Sequence, residues 1–145
     1  TCALPTSIKP CRNRSRKIKM YNRLTHWIYG MKVKIYHTPA CGTSRTVMAM
    51  LKDRGIEPEV VEYLKTPPTR ADMQKLLQDM GMKPRDILRR RGTPYEELNL
   101  DNPALTDSDI LDALGKHPIL MERPVVVTAK GTRVCRPADL VNDLL

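Results

Sequence analysis

The chain lacks a C-x-x-C pair, a run of about 18 apolar residues, and any acidic side chain in its first thirty positions. Each absence excludes something. Without paired cysteines, and with three scattered histidines, structural zinc is not encoded. Four cysteines among 145 residues are also too few for a disulfide framework, which leaves free or reactive thiols and a reducing compartment such as the cytoplasm. No segment has the length and apolarity of a membrane helix. The first thirty residues have no apolar core of a secretory signal. They are Arg-rich and acid-poor, as transit peptides are, but show poor helical amphipathicity. The simplest expectation is that Met31 is the natural start and that residues 1–30 are an extension, non-native or poorly ordered. Residues 31–145 then form one domain.

The net charge of +9 follows the same division. Residues 1–30 carry seven Lys or Arg, which leaves 18 basic and 16 acidic side chains over the remaining 115 positions. The basic balance therefore belongs mainly to the leading segment and gives no reason to expect nucleic acid as a partner. No metal is expected either.

From Met31 onward the pattern is regular. Lys32–Tyr36 alternates and is β-branched, which predicts a strand. The turn His37-Thr38-Pro39-Ala40 follows, then a helix from Thr43 to about Arg54, stopped by Gly55. Glu59–Tyr63 is a second strand, so the first third predicts a βαβ unit with parallel strands. Thr69 is placed to cap a helix over Arg70–Met80, ended by Gly81. A short helix is predicted over Pro84–Arg90, and another from Thr106 to Leu114. Pro124–Thr128 and Thr132–Cys135 predict a hairpin, and Pro137 opens a last helix. The sum is β-α-β, a helical insert, then β-β-α. It fits an α/β fold, a small mixed four-stranded sheet flanked by helices, with the thioredoxin-like fold as the leading candidate.

Cys41 is the residue to watch. It lies between a strand and a helix in His37-Thr38-Pro39-Ala40-Cys41-Gly42-Thr43-Ser44-Arg45. Unpaired backbone N–H groups and the positive end of the helix dipole favour a thiolate there. An unperturbed thiol, with a pKa of about 8.5, is only a few per cent ionised at pH 7. The same N–H groups suit an oxyanion. Gly42 lets backbone approach a ligand closely, Ser44 can cap the helix or hydrogen-bond the sulfur, and His37 and Arg45 can add positive charge. Position 44 is Ser, so Cys41 cannot close a local disulfide of the thioredoxin type. The bland alternative is that Cys41 is a small buried hydrophobe.

These residues, with Tyr63-Leu-Lys-Thr-Pro-Pro-Thr-Arg70, Pro94-Tyr-Glu-Glu-Leu98, His117-Pro-Ile-Leu120, Arg123-Pro124 and Gly131-Thr-Arg-Val-Cys-Arg-Pro137, resemble the glutaredoxin-coupled arsenate reductases from Met31 to Leu145. The resemblance implies a thioredoxin-like fold with a helical insert, and reduction of arsenate to arsenite. It implies that Cys41 attacks arsenic, that glutathione serves as co-substrate with no bound cofactor, and that glutaredoxin takes the mixed disulfide. It maps the oxyanion-binding arginines onto Arg70, Arg123 and Arg136, and makes His37 the histidine that influences the nucleophile. Gly42, Thr43, Ser44 and Arg45 join these as substrate-binding candidates. Arg chemistry fits, because a guanidinium presents a fork of donors and a charge that cannot be lost. Arg123-Pro124 is a candidate for the cis-proline of such folds. Without the resemblance any one arginine is best read as a solvated charge, and the run Arg85, Arg89, Arg90, Arg91 is expected to be such a face. Cys135 is open to two readings: a packed strand residue, or a thiol that resolves Cys41. Alternatives to arsenate reduction are a general glutathione-linked thiol oxidoreductase and a redox regulator on the same fold. Ser44 and the retained arginines speak against the regulator.

Overall fold

A computed structural model describes residues 32–145. The extension expected over 1–30, with Cys2 and Cys11, lies outside the described residues.

Four short strands form one mixed sheet in the order β2-β1-β3-β4. They are β1 (Lys34–His37), β2 (Glu59–Glu62), β3 (Val125–Thr128) and β4 (Gly131–Val134). Strand β1 runs parallel to β2 and antiparallel to β3, and β3 is antiparallel to β4. Helix α1 (Gly42–Asp53) is the crossover between β1 and β2. Helices α2 (Arg70–Met80) and α3 (Asp107–Lys116) make the insert between β2 and β3.

The strand side chains alternate between two cores, as a period of two requires. Tyr36 and Val125 face a core built with α2 and α3, through Met73, Leu76, Leu77, Ile110 and Leu114. Ile35 and Val126 face the other, with Val47 and Leu51 of α1 and Val141 and Leu144 of the C-terminal segment. Each such buried aliphatic side chain contributes about 1.5–3 kcal/mol. A one-residue slip of β1 would exchange both sets, so the register is firmly specified.

Helices α2 and α3 begin alike. Thr69 and Thr106 accept from the backbone N–H of Asp72 and Asp109, and those carboxylates accept from the Thr backbone in return. Such reciprocal caps satisfy two of the exposed amide donors at a helix start. Gly81, at φ +65, ends α2 in the left-handed conformation. Helix α1 differs. Its cap residue is Cys41, no side chain caps it through a hydrogen bond, and its first turn holds no acid.

Two predicted helices form differently. Only Pro84–Ile87 turns, as a 3₁₀ segment, because Leu88 leaves it to bridge Met121. The last segment, Ala138–Leu144, is also 3₁₀. Helix α3 passes Gly115, its expected stop, and ends at Lys116.

Candidate active site

The topology gathers four chain segments at one edge of the sheet. His37 ends β1 opposite Glu62, which ends the parallel β2. Strand β3 starts at that same edge, since Val125 pairs with Tyr36, and β4 ends there, since Val134 pairs with Val125. The residues just beyond these ends are therefore neighbours: the Cys41 turn, Tyr63, Arg123 and Arg136.

Cys41 is 8% exposed and stands at the uncapped start of α1. Its amide donates to the Thr38 carbonyl at 3.1 Å, and its carbonyl accepts from the Arg45 amide at 3.1 Å. The turn is thus closed by backbone hydrogen bonds on both sides of Cys41. Burial pushes its pKa up. The Ser44 backbone and hydroxyl and the Arg123 guanidinium, as donors beside the sulfur, pull it down, and the net position is about 7. Donors and positive charge stabilise only the ionised form, so they outweigh desolvation here. Ser44 Oγ is buried and has no hydrogen-bond partner within the chain.

Arg123 precedes β3, its peptide bond to Pro124 being cis, as is that of Arg136 to Pro137. Its NH1 donates to Tyr63 Oη at 3.1 Å. Its Nε is buried and has no partner. A buried unpaired donor costs about 1–3 kcal/mol, which an oxyanion seated against it would relieve. Arg136 NH1 reaches Glu122 Oε1 at 3.3 Å.

The other expected residues fall as follows. Gly42 is exposed and Thr43 half-buried in the first turn of α1. Arg45 is exposed and donates to the Pro39 carbonyl at 3.1 Å. His37 is buried with Nδ1 unpaired. Burial holds its pKa below 6.5, and Arg45 acts in the same sense against Glu62. The direction of that shift works against a positive charge on the ring.

Arg70 lies in different company. Its guanidinium is held by Asp112 and by Ser108 Oγ, both on α3. It braces two insert helices rather than joining Arg123 and Arg136. The third guanidinium in that group is Arg89, whose NH1 lies 3.7 Å from Glu122 Oε1. Long-range backbone pairing puts it there: Arg89 N donates to Leu120 O at 2.7 Å, and Glu122 N donates to Ile87 O at 2.8 Å. The basic run around it is not one solvated face. Arg85 donates to the Leu100, Asn102 and Leu105 carbonyls, and Arg90 lies over the Tyr95 ring.

Sequence reasoning missed Tyr63, Arg89 and Glu122 as site residues. For Tyr63 a signal existed, because the residue after a parallel β2 must lie at the same edge as the turn after β1. For Arg89 and Glu122 no local pattern foretells the Leu88–Met121 bridge. Cys135 is fully buried in the α1-side core, where desolvation raises its pKa to about 11. Among the described residues no cluster of three or more potential ligands is placed to hold a metal ion, and no helix is long and apolar enough to cross a membrane.

Known proteins are similar to this chain. The family model described as the ArsC family matches residues 36–144. An arsenate reductase from Rhizobium meliloti is 51% identical over 79% of this chain and 82% of its own length. One from Escherichia coli K12 is 49% identical over 78% of this chain and 80% of its own. The solved arsenate reductase from Vibrio cholerae superposes with a TM-score of 0.76 at 39% identity, over 79% of this chain and 98% of that one. The sheet order and the helical insert are therefore those of a thioredoxin-like member of the ArsC family, and the chain belongs to that family.

Proposed function

We propose that this chain reduces arsenate to arsenite with glutathione and glutaredoxin as thiol donors. The observation that carries the proposal is the Cys41 sulfur, held half-ionised near neutral pH by Ser44 and Arg123 at the start of an uncapped helix. A nucleophile and an anion seat coincide there. Arsenate is largely a dianion near pH 7, and the guanidiniums of Arg123, Arg136 and Arg89 supply charge and donors for its oxygens. The relatives named as arsenate reductases make arsenate the substrate of choice among oxyanions.

In this reading the Cys41 thiolate attacks arsenic. A sulfur–arsenic bond forms, and one oxygen leaves as water. The Gly42, Thr43 and Ser44 amides and the three arginines hold the remaining oxygens. The two electrons needed to take As(V) to As(III) come from thiols. Ser44 stands where a local partner would be, and Cys135 is protonated and enclosed. The further thiols therefore come from outside the described chain. Glutathione adds to arsenic with loss of a second water. Glutaredoxin then attacks the glutathione sulfur, so that a disulfide forms and the electron pair of the broken sulfur–arsenic bond stays on arsenic. Hydrolysis of the remaining Cys41–arsenic bond frees arsenite and restores the thiol. We assign the reaction to residues 31–145 and place it in the reducing cytoplasm, where Cys41 and Cys135 stay free.

Arsenite formation from arsenate, glutathione and glutaredoxin tests the proposal. Cys41→Ser is expected to abolish it and Cys135→Ser to leave it largely intact. Absence of activity in the unsubstituted protein, where a known arsenate reductase works in the same assay, overturns the reading.

A further inference from the structure

One carboxylate stands among the arginines, and the mechanism above does not use it. Glu122 Oε1 lies 3.3 Å from Arg136 NH1, 3.7 Å from Arg89 NH1 and 3.3 Å from the Arg123 backbone N–H. A single oxygen thus meets two guanidiniums from separate parts of the chain and the amide of the next residue. Glu122 is only about a quarter exposed and Arg89 less, so that contact is partly shielded from water, while Arg136 is nearly half exposed. Like-charged guanidiniums repel one another, and gathering them without an anion is unfavourable. Glu122 supplies that anion from within the chain.

We infer that Glu122 is a resident counter-anion, a positioning residue that holds Arg89 and Arg136 when the site is empty and yields them to the incoming oxyanion. The identity of that oxyanion as substrate rests on the arsenate reading; the exchange of anions does not. Two consequences follow. First, binding is a competition. An arriving dianion must displace Glu122 from the guanidiniums and lie beside its charge, so Glu122 weakens oxyanion affinity. Second, the exchange reverses on turnover. Arsenite is a weak acid and is neutral at pH 7. Once arsenic is reduced, the charge that displaced Glu122 is gone, and the carboxylate regains its partners as product leaves.

Glu122→Gln keeps a side-chain acceptor of the same shape and removes the charge. The probe is inorganic arsenate or sulfate as a protectant of Cys41 against iodoacetamide, which requires no turnover. The half-protecting concentration is expected to fall about three- to tenfold in Glu122→Gln, the size of a charge effect at a partly shielded site. Glu122→Asp restores the charge and is expected to return the value toward that of the unsubstituted protein. The pH dependence of Cys41 alkylation without anion is expected to be unchanged. In arsenate turnover the effect appears in KM and not in kcat. An unchanged or higher half-protecting concentration in Glu122→Gln overturns the inference, as does a shift in Glu122→Asp as large as that in Glu122→Gln. If protection shifts as expected and no arsenite forms in any variant, the arsenate reading fails and the counter-anion stands.

Discussion

The domain holds two described cysteines, and their surroundings give them opposite chemistries. Cys41 and Cys135 are both buried, at 8% and 0% exposure. Burial raises both pKa values. Cys135 has no donor facing its sulfur, which instead lies 3.7 Å from the Arg133 carbonyl, and its pKa rises to about 11. Cys41 has the Ser44 N–H, the Ser44 hydroxyl and Arg123, and its pKa falls to about 7. Reactivity here is therefore set by oriented donors and not by exposure. The linkage to stability has opposite signs. A thiol whose folded pKa is lowered favours the folded state above the ordinary thiol range, and this contribution is lost as pH falls through about 7. A thiol whose folded pKa is raised disfavours it progressively as pH climbs through the ordinary range toward about 11.

The comparison breaks most directly by alkylation. At pH 7 Cys41 is about half thiolate and Cys135 almost entirely thiol. Iodoacetamide is expected to label Cys41 at least about a thousandfold faster, counted by mass spectrometry of the two peptides. The Cys41 rate is expected to rise with pH through about 7 and level off above it. Comparable rates for the two cysteines, or a Cys41 rate that levels off only above pH 9, would remove the distinction.

The next largest effect tests which donor matters. Arg123→Ala deletes both the charge on the sulfur and a donor to the proposed oxyanion. It is expected to lower kcat/KM for arsenate by roughly a hundredfold, the usual cost of losing one such group. It is also expected to move the alkylation profile toward higher pH. A large loss of turnover with no movement of that profile would show that Arg123 serves the substrate alone.

Much of this was legible in the sequence, and the boundary of what was legible has a physical cause. Local signals placed the strands, the Thr69 and Thr106 caps and Gly81, because each depends on neighbours within a few residues. Cys41 was legible for the same reason: a strand, a polar turn and a helix leave uncapped amides at a known position. That Arg123 and Arg136 lie at the same end of the sheet as the turn follows from strand order, which the βαβ and ββα patterns imply together. Arg89 was not legible. Its place rests on the Leu88–Met121 bridge, where two segments thirty-three positions apart exchange backbone hydrogen bonds. The ionisation of His37 was not legible either, since it depends on how deeply the ring sinks beside β2.

What holds for the two thiols holds for two arginines, and that is the finest test. Arg70 and Arg89 are the same side chain in different company. Arg70 is about half exposed and bound to Asp112 and Ser108, between α2 and α3. Arg89 is mostly covered, and its guanidinium is turned to Glu122 beside Arg123 and Arg136. An exposed ion pair contributes about 0–1 kcal/mol to stability. Arg70→Ala is therefore expected to shift the urea midpoint slightly and to leave kcat/KM for arsenate within about twofold. Arg89→Ala is expected to cost at least about tenfold in kcat/KM with a comparable or smaller change in stability. Parallel denaturation and arsenate kinetics on the two variants decide it. If Arg70→Ala loses turnover and Arg89→Ala does not, the anion seat extends toward the insert and not toward Glu122, and the family-pattern assignment of Arg70 prevails over the geometric one.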